Sequence, residues 1–187
     1  MTLLEMKKKT LALIEEKSTQ SGKLTDDPDI EGKINDVINQ IQFELARIKK
    51  LPAIKKENIS SQNLSIDLNE IEGFYQLDHI LFENIDGEEE YFEIFGQTVE
   101  FFEPGTAKIY YYKYPATITE STEDSYEFEL SQDLLEIMPY GVAADLLKSD
   151  VSNGYGQIYS QRYETMIQRL DPRHSTGFIY MSGGVNI

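Results

Sequence analysis

The 187-residue chain has no cysteine and no tryptophan, and only two histidines, His79 and His174. Without cysteine there is no disulfide, no thiolate metal site and no thiol nucleophile. Two histidines far apart in sequence offer no pair at metal-ligand spacing and little imidazole for acid–base work. They read instead as a packing or solvent-facing histidine in a strand and a second one near the end of the chain. No apolar run approaches the roughly 20 residues that span a bilayer. The opening MTLLEMKKKTLALIEEK lacks the order of basic stretch, apolar run and small-residue cleavage site that marks a signal peptide. These absences predict a soluble protein without membrane contact, intracellular or part of a particle assembled inside a cell. Nucleotide and acyl-transfer signatures are missing too. Gly154 and Gly156 lack the lysine and preceding strand of a phosphate loop, and there is no G-x-S-x-G elbow. No enzyme, cofactor or resident metal is expected.

Basic residues are scarce in one part of the chain only. The net charge is −16. Residues 1–56 hold 11 Lys/Arg and 9 Asp/Glu, residues 57–130 hold 2 and 18, and residues 131–187 hold 4 and 6. The middle segment therefore carries the whole imbalance. That excludes a basic footprint for ordinary nucleic-acid binding. The plain reading is a β segment kept soluble by its acids; the functional one is a surface that repels phosphate or meets a basic partner.

What is present divides by periodicity. Thr2 and Glu5 form a capping box ahead of a helical stripe, Leu4, Lys8, Leu11 and Ile14, predicted to run to about Lys17. Its Lys7, Lys8 and Lys9 read as a solvated face or as a contact to an acidic partner. Asp27-Pro28 opens a second helix, with Ile30, Ile34, Val37, Ile41, Leu45 and Ile48 at spacings of three and four. Its end is predicted at about Lys50, with Leu51-Pro52 as the stop.

From Ile59 the period becomes two. Leu64 to Leu68, Tyr75 to Phe82, Tyr91 to Phe95, Thr98 to Phe102 and Lys108 to Tyr114 alternate, with turn signals at Asp86-Gly87, Gly96 and Pro104-Gly105. An antiparallel meander or small sandwich is predicted. In residues 108–114, Ile109 and Tyr111 share one face and Tyr110, Tyr112 and Tyr114 the other. A further strand is predicted where Tyr126, Phe128 and Leu130 alternate with Glu127 and Glu129. Ser131 then caps a helix that Pro139 should kink or restart. Tyr155, Ile158, Tyr159, Tyr163, Met166, Ile167 and Leu170 stripe a last helix, closed by Asp171-Pro172. The expected class is α+β: a bundle of about four helices with an inserted antiparallel β part and an extended C-terminal tail. The corresponding segments are 1–56 and 131–170 for the bundle, 57–130 for the acidic insertion and 171–187 for the tail.

Three features could carry chemistry or contacts. Glu83, Asp86, Glu88, Glu89 and Glu90 are the densest carboxylates. They lack calcium-loop spacing, so a solvated turn is the reading set against a cation site. The tyrosines at 110, 111, 112 and 114 could stack bases, but the 18 acids around them favour packing. The tail carries an apolar island, Phe178, Ile179, Tyr180 and Met181, that cannot build a core alone and could dock on another chain.

The ordered run GTAKIYYYKYPATIT, SYEFEL, LLEIMPYGVAADLLKSD and YSQRYETMIQRL resembles the head–tail connector (adaptor) proteins of tailed bacteriophages. The likeness covers residues 105–170 well and the N-terminal helices loosely; residues 59–103 are longer than in compact members. The resemblance implies a structural ring, usually of twelve copies, beneath the portal protein in the virion neck. Such a ring continues a channel for double-stranded DNA that passes without sequence-specific binding, and it receives the stopper or tail-completion protein. In that frame Tyr163, Arg173, Phe178, Ile179, Tyr180 and Met181 are candidate contacts to the portal or a neighbouring subunit. The five carboxylates at 83, 86 and 88–90 are candidates for a channel or tail-facing surface. Other readings are a stopper, tail terminator or baseplate adaptor, or a monomeric binding module.

Overall fold

A computed structural model describes residues 1–18, 20, 22–89, 91–148 and 154–170. The protein is α+β, with helices α1 (Leu3–Leu13), α2 (Pro28–Ile48), α3 (Gln132–Leu146) and α4 (Tyr155–Arg169). Between α2 and α3 lie strands β1 (Leu51–Ile59), β2 (Ser65–Asp67), β3 (Phe74–Asn84), β4 (Phe92–Phe95), β5 (Thr98–Phe101) and β6 (Gly105–Lys113).

The helix starts follow the sequence signals. Glu5 N–H donates to Thr2 Oγ1 (3.2 Å) and Thr2 N–H to Glu5 Oε2 (3.0 Å), closing the capping box. Asp27 Oδ1 accepts from the backbone of Asp29 and Ile30, with Pro28 opening α2. The stops fare differently. α1 ends at Leu13, short of the expected Lys17, whereas α2 ends at Ile48, close to the expected Lys50, and Leu51-Pro52 opens β1 directly after it. That proline is tolerable because β1 is an edge strand and its only neighbour is β6.

α3 runs unbroken through Pro139, where a kink or restart is expected from the sequence. A proline inside a helix costs about 3 kcal/mol. Leu134, Leu135, Met138 and Val142 around it are fully or almost fully buried, and their packing outweighs that cost.

The strand expected at residues 126–130 is also absent. The segment is extended, and its alternation does bury Phe128 and Leu130, but only the single bridge between Thr2 and Glu127 forms. The carbonyl of Tyr126, with that of Asp124 just before the segment, serves a helix end instead. Leu3 N–H donates to Tyr126 O (2.8 Å) and Leu4 N–H to Asp124 O (3.1 Å), satisfying donors that α1 leaves free.

The β part therefore spans Leu51 to Lys113 rather than 57–130, and residues 114–130 form a strap laid on the bundle. Asn39 and Gln42 of α2 hold that strap. Asn39 Nδ2 donates to Ile118 O (2.7 Å), Ile118 N–H donates to Asn39 Oδ1 (2.8 Å), and Gln42 Nε2 donates to Ala116 O (3.0 Å).

The strands form two three-stranded antiparallel sheets, β1-β6-β3 and β2-β5-β4. β6 is the central strand of the first. It pairs with β1 from Leu51–Lys113 to Ile59–Gly105, and with β3 across two register shifts. The expected hairpin at Asp86-Gly87 closes as a short one: Gly87 N–H donates to Asn84 O (3.0 Å), Asn84 N–H donates to Glu88 O (2.9 Å) and Glu83 makes a single antiparallel bridge with Glu89, after which the chain leaves for the second sheet. Gly96, at φ 62°, makes the tight β4–β5 link.

Two separate apolar cores result. Leu3, Met6, Ile38, Leu45, Leu134, Met138 and Val142 centre the helical one; Phe82, Val99, Phe101, Ala107 and Ile109 centre that between the sheets. The joint is aromatic and cationic. The Tyr114 ring meets Phe43 (5.6 Å), Tyr75 (4.7 Å) and the Arg47 guanidinium (5.6 Å), and Lys113 bridges to Glu129.

Candidate functional site

The densest unsatisfied apolar surface lies at the far side of the β part, in the chain from the β3 turn to the start of β6. Residues 84–104 hold seven Asp/Glu and no Lys/Arg. The same stretch exposes Ile85 (79%), Tyr91 (84%), Ile94, Phe95 (70%) and Phe102 (60%). A strand alternates faces, so the doublets Ile94-Phe95 and Phe101-Phe102 must each send one apolar side chain outward. Val99 and Phe101 take the inner face and are buried, with Phe101 against Phe82 (4.6 Å) and Phe92 (6.1 Å). Phe95 and Phe102 are left in water. β4 is also the outer strand of its sheet, so its free backbone edge runs beside these side chains.

Of the acidic residues expected at a surface here, Asp86, Glu88 and Glu89 are exposed around the turn. Glu83 is half-buried and paired with Lys108 (3.4 Å) on the neighbouring strand. Glu90 lies outside the described residues. Among the described residues no three Asp, Glu or His side chains converge as a metal-ligand set.

The contact residues expected on the last helix and tail fare differently. Tyr163 is not a docking side chain: it is 8% exposed, and its ring fills the space that the missing Cβ of Gly141 leaves on α3. Burial raises the pKa of its hydroxyl. Arg173, Phe178, Ile179, Tyr180 and Met181 lie outside the described residues. The outward side of α4 instead forms a shallow trough lined by Ile158, Gln161, Arg162, Thr165, Met166 and Arg169. Lys7 of the N-terminal lysine cluster reaches Asp124 (3.8 Å) on the strap, while Lys8 and Lys9 are exposed.

A second, chemically opposite surface is the outer face of sheet β1-β6-β3. Tyr110 sits at its centre, paired with Ile54 on one side and His79 on the other, and Lys108 is paired with Lys56 and Leu81. His79 stacks on Tyr110 (4.2 Å, 10°), with its Nδ1 2.7 Å from Asp78 Oδ2. Tyr112 Oη donates to Asp78 Oδ1 (3.1 Å), and Lys50 lies over the Tyr112 ring (4.8 Å). The contacts from His79 and Tyr112 hold Asp78 below the usual carboxylate range. Burial beside that carboxylate raises Tyr112. Ile54 is 63% exposed and Leu81 40%. The face is thus apolar, aromatic and lysine-bearing on an otherwise acidic protein.

Of the four buried polar residues among the described ones, Thr10, Thr25, Asn39 and Gln42, the last two serve the strap. Among the described residues no helix is long and apolar enough to cross a membrane. No protein-family model matches this chain, and no curated protein does.

Proposed function

We propose that this chain is a structural subunit of the neck of a tailed bacteriophage. It is a head–tail connector whose copies, twelve in number, ring the channel beneath the portal protein and receive the stopper or tail-completion protein. It acts by assembly and carries no catalytic step. It joins the particle in the host cytoplasm and remains in the virion, with double-stranded DNA passing through unread.

One observation carries the reading: five large apolar side chains stand exposed within a stretch of 21 residues that holds seven acids and no base. Surface of that kind marks a protein contact, and its charge makes DNA phosphate an unfavourable neighbour. The ordered resemblance of residues 105–170 supplies the identity of the assembly. Those segments fall in β6, the strap, α3 and α4, the pieces that tie the β part to the bundle.

The test is to mix the purified chain with portal rings and image the product. A ring of this chain seated on one face of the portal is the expected result. A chain that stays monomeric and leaves the portal bare overturns the proposal.

A further inference from the structure

We infer that the outer face of sheet β1-β6-β3 is the seat for the acidic, apolar end of a second copy of this chain, joined head to tail. The inference rests on the ring reading above and names the subunit contact within it.

The two surfaces differ in their charge balance. The seat offers Lys56, and Lys108 bridged to its own Glu83, beside the exposed Ile54 and Leu81, with the stacked pair of Tyr110 and His79 between them. The end offers Glu88 and Glu89 beside Ile85, Tyr91, Phe95 and Phe102. Pairing two acidic ends across a twofold axis would face the exposed Asp86, Glu88 and Glu89 with their own copies. Juxtaposed like charges of that kind cost several kcal/mol. Pairing two seats would oppose lysine to lysine. Only end-to-seat contact places carboxylates on amines and covers the apolar side chains of both.

The two surfaces are also different parts of one subunit. Their contact is therefore heterologous, and a heterologous contact closes into a ring when its rotation permits.

The test uses full-length chain assembled on portal rings, with half the chains isotopically heavy, treated with a carbodiimide that joins amines to touching carboxylates. Mixed heavy–light links from Lys56 or Lys108 to Glu88 or Glu89 are expected. Two variants complete it. Lys56→Glu with Ile54→Glu breaks the seat, and Glu88→Lys with Glu89→Lys breaks the end. All four side chains are exposed, so circular dichroism and melting should match the unaltered chain.

Each variant alone should give at least ten-fold fewer rings. An equal mixture pairs the intact end with the intact seat and the lysine-bearing end with the glutamate-bearing seat, opposite charges at both contacts, and should regain rings; no recovery overturns the contact. Rings that form normally from either variant, or mixed links confined to other residues, overturn this contact while the ring reading stands. Failure of the unaltered chain to ring on the portal overturns both.

Discussion

The helical and β parts of this molecule solve burial differently. The bundle encloses its apolar side chains: α1, α2, α3 and the strap converge on a core where Leu3, Met6, Ile38 and Met138 have no exposed surface. The β part has ten buried core residues against nineteen in the bundle. Yet among the described residues seven of the ten exposed large apolar side chains belong to it. Size accounts for part of this, since two short sheets have less interior to offer. The distribution accounts for the rest, because five of the seven crowd into residues 85–102. A domain that had only run out of interior would scatter them singly. The bundle therefore encloses most of its apolar side chains within one chain, whereas the β part leaves a cluster of five in water.

The comparison can be broken most sharply at Phe101. Replacing it with alanine removes a ring held between Phe82 and Phe92, and should cost about 3–5 kcal/mol. Because the two cores are separate, guanidinium titration should show the β part melting first. The helical signal at 222 nm (roughly the amide band of any α-helix) should persist to higher denaturant. Simultaneous loss would show that the cores are one cooperative unit.

Asn39→Ala comes next. It strips both hydrogen bonds from Ile118 and leaves buried backbone groups unpaired, for about 1–3 kcal/mol. Hydrogen exchange should rise in residues 116–118 before it rises in the sheets. Gly141→Ala places a Cβ 2.8 Å from the Tyr163 ring and should cost about 1–3 kcal/mol, through displacement of α4 from α3. An unchanged melting temperature would refute that packing.

Acid has a smaller effect. Asp78 has a lowered folded pKa, so it stabilises the protein above the ordinary carboxylate pKa and loses that contribution as pH falls through the lowered value. Its side chain is 42% exposed, which limits the effect to under about 1 kcal/mol. Asp78→Asn should flatten the acid limb of stability against pH between those two pKa values. The smallest change expected is from Phe95→Ser, within about 0.5 kcal/mol in the free chain, although ring formation on the portal should suffer.

Much of the fold was legible where a residue acts locally. Thr2 with Glu5 and Asp27 with Pro28 placed two helix starts, and the alternation of residues 108–114 put Ile109 and Tyr111 on one face, the buried one. Failures came where a distant partner decides. Residues 126–130 alternate like a strand, but the carbonyl of Tyr126, with that of Asp124 before it, meets the start of α1 instead of a sheet. Pro139 should break a helix on propensity alone, yet the core around it holds α3 straight through its sequence position. Leu51-Pro52 reads as a stop and also permits an edge strand.

The candidate surface was half legible. The acids at 86, 88 and 89 were visible from charge, whereas Tyr91, Phe95 and Phe102 passed as strand residues. The doublets Ile94-Phe95 and Phe101-Phe102 were the overlooked signal, since period two cannot bury both members. Tyr163 misled for the reverse reason: an aromatic on a stripe fits a contact or a core, and Gly141 decides for the core.

The central claim is that residues 85–102 are covered by another chain in the assembly and bare in the free protein. Hydroxyl-radical footprinting reads this directly at Tyr91, Phe95 and Phe102, in the free chain and in the portal-bound ring. The account predicts strong oxidation of all three in the free chain and protection in the ring, with bundle-core Met138 unreactive in both. Equal oxidation of the three aromatics in the two states would contradict it.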